Sequence, residues 1–211
     1  AGTINGFVNG ETATFTTTGS QTEVGSTANT YSLTWDGTAK ESNYTVAEAI
    51  GTLTVTAQSI DPDNPNYKGI TVDAPTDVEY TGADQTWLPT VTDGNGKALV
   101  KDTDYTVTYD NEDRTNVTGT ITVTINGAGN YAGTITREYQ ITPKPVTITT
   151  ESKTKAFDGT ALTAGGKVEG IVSGETYGFE VTGSQTYVGS SQNTYEMVWA
   201  DSEVEGTSGT Y

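Results

Sequence analysis

Three observations predict an all-β fold, organised as a tandem array of small β-sandwich domains. First, threonine supplies about one residue in five, with valine, isoleucine and tyrosine beside it and 25 glycines among 211 residues. β-Branched and aromatic side chains suit a pleated, half-buried surface, while leucine, methionine and alanine are too few for long helices. Second, residues 1–35 align with residues 165–199 at a constant offset of 164, without a gap, and 19 of the 35 positions are identical. A repeat on that scale marks an array of like units. Third, short runs of alternating character recur between turns rich in glycine, asparagine and proline.

Each element follows from its local pattern. The repeat passes through Gly19-Ser20-Gln21-Thr22 to Tyr31-Ser32-Leu33-Thr34-Trp35, and again through Gly183-Ser184-Gln185-Thr186 to Tyr195-Glu196-Met197-Val198-Trp199. Large apolar residues keep one parity in both copies while the intervening positions vary, which is the mark of a half-buried strand. On that parity Tyr31 and Tyr195 are expected to face a core, as are Tyr105 and Tyr109 in the middle of the chain. After a polar loop, Asn43-Tyr44-Thr45-Val46 and Gly51-Thr52-Leu53-Thr54-Val55-Thr56 read as closing strands of the first copy.

Residues 58–143 follow a different pattern and form a complete unit. Ile70-Thr71-Val72, Val78-Glu79-Tyr80 and Trp87-Leu88-Pro89-Thr90-Val91 read as strands, followed by a turn at Asp93-Gly94-Asn95-Gly96. Tyr105-Thr106-Val107-Thr108-Tyr109 and Ile121-Thr122-Val123-Thr124-Ile125 alternate cleanly. The turn Asn126-Gly127-Ala128-Gly129-Asn130 leads to two further strands, Gly133-Thr134-Ile135-Thr136 and Tyr139-Gln140-Ile141. Prolines stiffen the joints at Asp61-Pro62-Asp63-Asn64-Pro65-Asn66 and Pro143-Lys144-Pro145, since they cannot donate a ladder bond. Val146-Thr147-Ile148-Thr149-Thr150 and a turn at Phe157-Asp158-Gly159-Thr160 open the last unit, which ends at Tyr211 near the counterpart of Tyr44. The expected division is therefore 1–57, the closing part of a type A repeat; 58–143, a whole type B repeat; and 144–211, the opening part of a second type A repeat. The terminal domains read as incomplete, either because the chain is cut there or because a neighbouring chain supplies the missing strand.

Charge and composition exclude several classes of function. With 27 acidic against 10 basic residues the net charge is -17, so the clustered lysines or arginines needed for nucleic acid or anionic membranes are lacking. The acidity suits a solvated, aggregation-resistant surface. The absence of cysteine and histidine removes disulfides, the usual zinc ligands and both Ser-His-Asp and Cys-His catalysis. No apolar run is long enough to span a membrane as a helix. Nothing places two carboxylates across a pocket, so no enzyme, catalytic residue or cofactor is expected.

Two sets of residues carry a resemblance. Asp104-Tyr105-Thr106-Val107-Thr108-Tyr109-Asp110-Asn111, Gly119-Thr120-Ile121-Thr122-Val123 and Gly129-Asn130-Tyr131-Ala132-Gly133-Thr134-Ile135 resemble the immunoglobulin-like repeats of large bacterial surface proteins. Phe157-Asp158-Gly159-Thr160-Ala161-Leu162-Thr163, Gly183-Ser184-Gln185-Thr186 and the ending Asn43-Tyr44 … Gly51-Thr52-Leu53-Thr54-Val55 resemble the MBG-like repeats that often alternate with them. The resemblance covers nearly the whole chain. It implies Ig-like β-sandwiches in an elongated array, in the stalk of an adhesin-type protein at the cell surface, attached to the wall. It implies no shared catalytic residues.

Some local candidates remain. Asp61 and Asp63, with Asn64 and Asn66, place oxygens at alternate positions that suit Ca²⁺, although the segment lacks the glycine and distal glutamate of an EF-hand loop and equally describes a turn-rich linker, so no metal site is assigned. Asp110, Glu112 and Asp113 read as a solvated turn beside Arg114. Lys68 and Asn130 are a conceivable pair for an isopeptide cross-link between strands; a lysine beside a strand also guards an edge. Asn43-Tyr44-Thr45 and Asn116-Val117-Thr118 match glycosylation acceptors in form only. The expected function is a non-enzymatic extracellular spacer, whose partners are neighbouring repeats or chains of the same type. The alternatives are a self-assembling filament subunit joined by strand complementation and a module binding a host protein or glycan.

Overall fold

The computed structural model describes residues 2–200; the tail up to Tyr211, including its expected likeness to the stretch around Tyr44, lies outside them. The described chain is nearly all β. Type A strands of the first copy are β1 (Thr14–Thr17), β2 (Gly25–Ala28), β3 (Tyr31–Thr34) and β4 (Thr52–Val55). The middle stretch contributes β5 (Gln58–Ser59), β6 (Thr71–Val72), β7 (Val78–Glu79), β8 (Val91–Thr92), β9 (Tyr105–Tyr109), β10 (Thr120–Gly127), β11 (Tyr131–Ala132) and β12 (Thr134–Thr142). β13 (Thr147–Thr150), β14 (Gly166–Glu169), β15 (Tyr177–Val181) and β16 (Tyr195–Trp199) complete the set, and a single 3-10 turn covers Glu41–Asn43.

Within the described residues two compact units result, one of residues 2–75, 87–110 and 122–138, the other of residues 76–86, 111–121 and 139–200. In the first, β1 pairs antiparallel with β3, β2 with β4, β6 with β8 and β9 with β10, while β5 and β11 run parallel. Its buried side chains include Ile60, Ile70, Val91, Tyr105, Val123 and Ile125. In the second, β13 pairs antiparallel with β14 and β15 with β16, β7 lies parallel to β12, and Ile121, Tyr139 and Ile141 are buried. The largest sheet has the order β7-β12-β10-β9. β10 alternates as expected: Ile121, Val123 and Ile125 are fully buried and the residues between them are not, as a period of two requires.

The internal repeat is structural as well as sequential. β1 meets β3 with Phe15 opposite Leu33 and Thr17 opposite Tyr31; β15 meets β16 with Phe179 opposite Met197 and Val181 opposite Tyr195. At an offset of 164 these are the same pairs. The hydroxyls of Thr18 and Thr30 lie 2.9 Å apart and those of Thr182 and Thr194 3.0 Å. Gly19 and Gly183 lie where the chain crosses itself. A Cβ on Gly19 would stand 2.6 Å from the Asn29 Cα, and one on Gly183 would stand 2.5 Å from the Asn193 Cα. Neither leaves room for a side chain.

Four expectations change. Asn43-Tyr44-Thr45-Val46 is not a strand; Tyr44 turns into an aromatic cluster, stacked on Trp35 at 5.8 Å and edge-on to Phe7 at 5.2 Å. Of Trp87-Leu88-Pro89-Thr90-Val91 only Val91 enters a strand. Carbonyls upstream of it accept tyrosine hydroxyls in place of ladder donors: Tyr139 bonds Gln85 at 3.0 Å, Tyr109 bonds Trp87 at 2.7 Å and Tyr105 bonds Pro89 at 3.1 Å. The two strands expected on either side of Glu138 are one, β12. Tyr105 is buried and Tyr31 and Tyr109 half-buried, as expected, but Tyr195 is 43% exposed. Tyr31 donates to the Glu48 carboxylate, and the positions equivalent to 44–50 fall outside the described residues of the second copy.

Candidate functional site

Two places where the type A and type B patterns meet hold specific side-chain contacts. The first is built on the turn between β10 and β11. The Asn130 carbonyl accepts the Gln58 N–H at 3.0 Å, and its side-chain oxygen accepts the Val24 N–H at 2.8 Å. Its carboxamide N–H donates to the Glu23 carboxylate. Asparagine suits this because one planar amide offers both an acceptor and two donors. Glu23 and Val24 are presented by the loop before β2, which Gln21 ties down by donating from Nε2 to the Glu23 carbonyl at 2.7 Å. The repeat supplies the loop and the type B turn supplies the fork that grips it.

The second meeting place lies on the opening part of the second copy. The Tyr80 hydroxyl donates to the Glu175 carboxylate at 2.5 Å and Lys144 Nζ lies 2.8 Å from the Glu79 carboxylate. Gly82, at φ +75°, approaches so closely that an added Cβ would sit 2.9 Å from Val172 Cγ1. Beside these contacts is an open cleft of about 550 Å³, walled by Tyr80, Val117, Pro143, Ile171, Val172 and Trp199. Glu175 is the counterpart of Glu11, and both accept a tyrosine hydroxyl. Glu11 takes that of Tyr44, from the same copy, and holds it above the usual phenol range through the hydrogen bond. Glu175 takes Tyr80, from the type B stretch. The surface formed by residues 171, 172, 175 and 199 is thus a tyrosine-accepting face of the repeat.

The other sequence candidates resolve as local structure. Asp61 Oδ1 accepts the Asp63 N–H at 2.9 Å and Asn64 Oδ1 accepts the Asn66 N–H at 2.9 Å, so these oxygens close Asx-turns. Among the described residues no group of three or more metal-ligating side chains gathers. Asp113 accepts the N–H groups of Asn116 and Thr115 and the Asn116 carboxamide, which hold its carboxyl below the ordinary value. Asp110 accepts the Thr122 N–H at 2.8 Å, and Arg114 donates to the Asn111 carbonyl and the Thr86 hydroxyl. Glu112 is exposed. Lys68 and Asn130 are both exposed, and the Asn130 amide is engaged by Glu23 and Val24. Asn43 is exposed in its 3-10 turn, and Asn116 donates to Asp113 at 2.9 Å.

The sequence reading missed the Asn130 fork because its partners lie more than a hundred positions away. One signal did point to it, namely that Gln21-Thr22-Glu23-Val24-Gly25 recurs with only Glu23 changed. Compared with known protein families, curated proteins and solved structures, the chain matches none.

Proposed function

We propose that this chain is a segment of a non-enzymatic, extracellular spacer in which Ig-like and MBG-like β repeats alternate and each repeat is fastened to the next. The observation that supports this best is the fastening itself. A type A loop is gripped by Asn130 of the type B stretch, and the tyrosine-accepting face of the second copy is met by Tyr80 and Gly82. Specific polar contacts at successive joints suit a stalk that resists bending, since in a linear array stiffness is set by contacts between nearest neighbours. The acidic surface suits solubility outside the cell, with other repeats as the partners. Small-angle scattering tests the reading. A monomer with the elongated profile of a rod supports it, and a compact particle sinks it.

A ligand-binding reading is favoured by one observation, the cleft walled by Tyr80 and Trp199 with Lys144 and Glu175 beside it. Aromatic walls with a few polar groups are what a glycan or an extended peptide requires. Binding to a glycan or host-matrix array that is lost in Trp199→Ala and kept in Trp87→Ala would move the assignment there.

A further inference from the structure

We propose that the exposed turn Tyr187-Val188 is a docking point for the Asn-bearing turn of another type B repeat, placed after it as residues 58–143 are placed after the first copy. The inference rests on the spacer reading and names the partner of one of its faces.

The loop before β2 and the loop around Tyr187 are the same object. Gln21 Nε2 donates to the Glu23 carbonyl at 2.7 Å, and Gln185 Nε2 donates to the Tyr187 carbonyl at 2.8 Å. Gly25 and Gly189 hold φ of 141° and 147°. The Val188 N–H is therefore presented as the Val24 N–H is. Yet the Val24 N–H is bound by Asn130, whereas that of Val188 has no partner among the described residues. Tyr187 and Val188 are 79% and 89% exposed, the highest values among the large apolar side chains. Two adjacent large apolar side chains thus stand in solvent at this turn. Beyond them, Gly189 to Gln192 repeat the positions of β2 but form no strand, because the partner that β4 provides in the first copy has no counterpart among the described residues.

A second set of contacts points to the same class of partner. Val172 and Glu175 are met by Gly82 and Tyr80 of a type B repeat; of their counterparts, Val8 is 57% exposed and Glu11 takes the hydroxyl of Tyr44 from its own copy. Each type A copy thus has one face engaged by the type B repeat, and in the first copy the other face is closed by its own Tyr44. The single type B repeat of this chain already uses Asn130 and Tyr80 within its own molecule. A second copy of the whole chain has no free fork to offer, so the occupant is a further type B repeat. At Tyr187 a ring stands where Glu23 offers a carboxylate, so this contact would rely less on charge and more on apolar cover.

The test is a chain extended after Trp199 with residues 36–143, the stretch that follows the equivalent Trp35. Amide hydrogen exchange is read by NMR at Val188 and Val24, in this chain and in the parent. Slowing of Val188 exchange by about tenfold or more, toward the rate of Val24, is expected. That slowing should vanish when the appended equivalent of Asn130 is changed to alanine. Unchanged Val188 exchange, with the appended β10 equivalent protected and therefore folded, overturns the inference. So does protection of Val188 in the parent chain on raising its concentration, which would make the face a self-contact. Scattering on the same sample separates the two claims. Lengthening without Val188 protection keeps the spacer and removes this docking point; protection within a compact particle keeps the docking point and removes the spacer.

Discussion

The hydroxyls of Tyr105, Tyr109 and Tyr139 end on the carbonyls of Pro89, Trp87 and Gln85. These are alternate residues of a stretch whose proline could not have donated to a ladder. Tyr105 is the most informative of the three because it is buried, and burial raises its phenol above the ordinary range. Tyr105→Phe keeps the packing and strands a buried carbonyl, so a loss of about 1–2 kcal/mol in urea unfolding is expected. Asp113 gives a test in pH. Backbone and side-chain donors from Asn116, then the Thr115 N–H, hold its folded pKa below the unfolded value of about 3.9. Its contribution is therefore full above that value and lost as pH falls through the depressed folded pKa. Urea midpoints from pH 6 downward should show Asp113→Ala less stable near neutrality, with the gap to the parent closing below about pH 4. A gap that stays constant would mean the carboxylate contributes nothing through its charge.

At the scale of elements, strands were legible where alternation was strict and neighbours in the sheet were close in sequence. β9 matches its expected bounds, and β10 contains the expected run, because large residues recur at every second place between glycine- and asparagine-rich turns. The stretch 87–90 is also apolar and aromatic, but the Trp87 and Pro89 carbonyls take tyrosine hydroxyls from β9, and no local pattern encodes that. Tyr44 left the expected strand for a similar reason, since Phe7 and Trp35 offered it a cluster. The chain crossing at Gly19 and Gly183 carries a prediction of its own. Gly19→Ala and Gly183→Ala should each cost about 1–3 kcal/mol, as added volume at a tight backbone contact does. Gly51→Ala, where a Cβ would meet nothing within 4 Å, should change the unfolding midpoint little. Equal tolerance at all three positions would show that the crossing relaxes.

For the whole molecule, three of the groups suspected of cross-linking or metal binding, Asp61, Asn64 and the Asn130 amide, are engaged by other protein atoms. The intact mass should equal that of the sequence, with no ammonia lost through a Lys68–Asn130 bond. Chelator should leave the melting temperature unchanged, because Asp61 and Asn64 are occupied by backbone donors two residues on. A lowered midpoint in chelator would reveal a cation bound to the linker.

Residue order alone dictates that the chain is β, that two stretches are copies of one unit, and which parity of β9 and β10 faces inward. All three follow from local preference and from self-similarity, both of which are written in one dimension. Folding in three dimensions decides which copies of a surface are covered. Glu23-Val24 and Tyr187-Val188 sit in the same local fold. One is held by an asparagine 106 positions away and the other meets no such partner among the described residues, because burial depends on what the rest of the chain brings alongside.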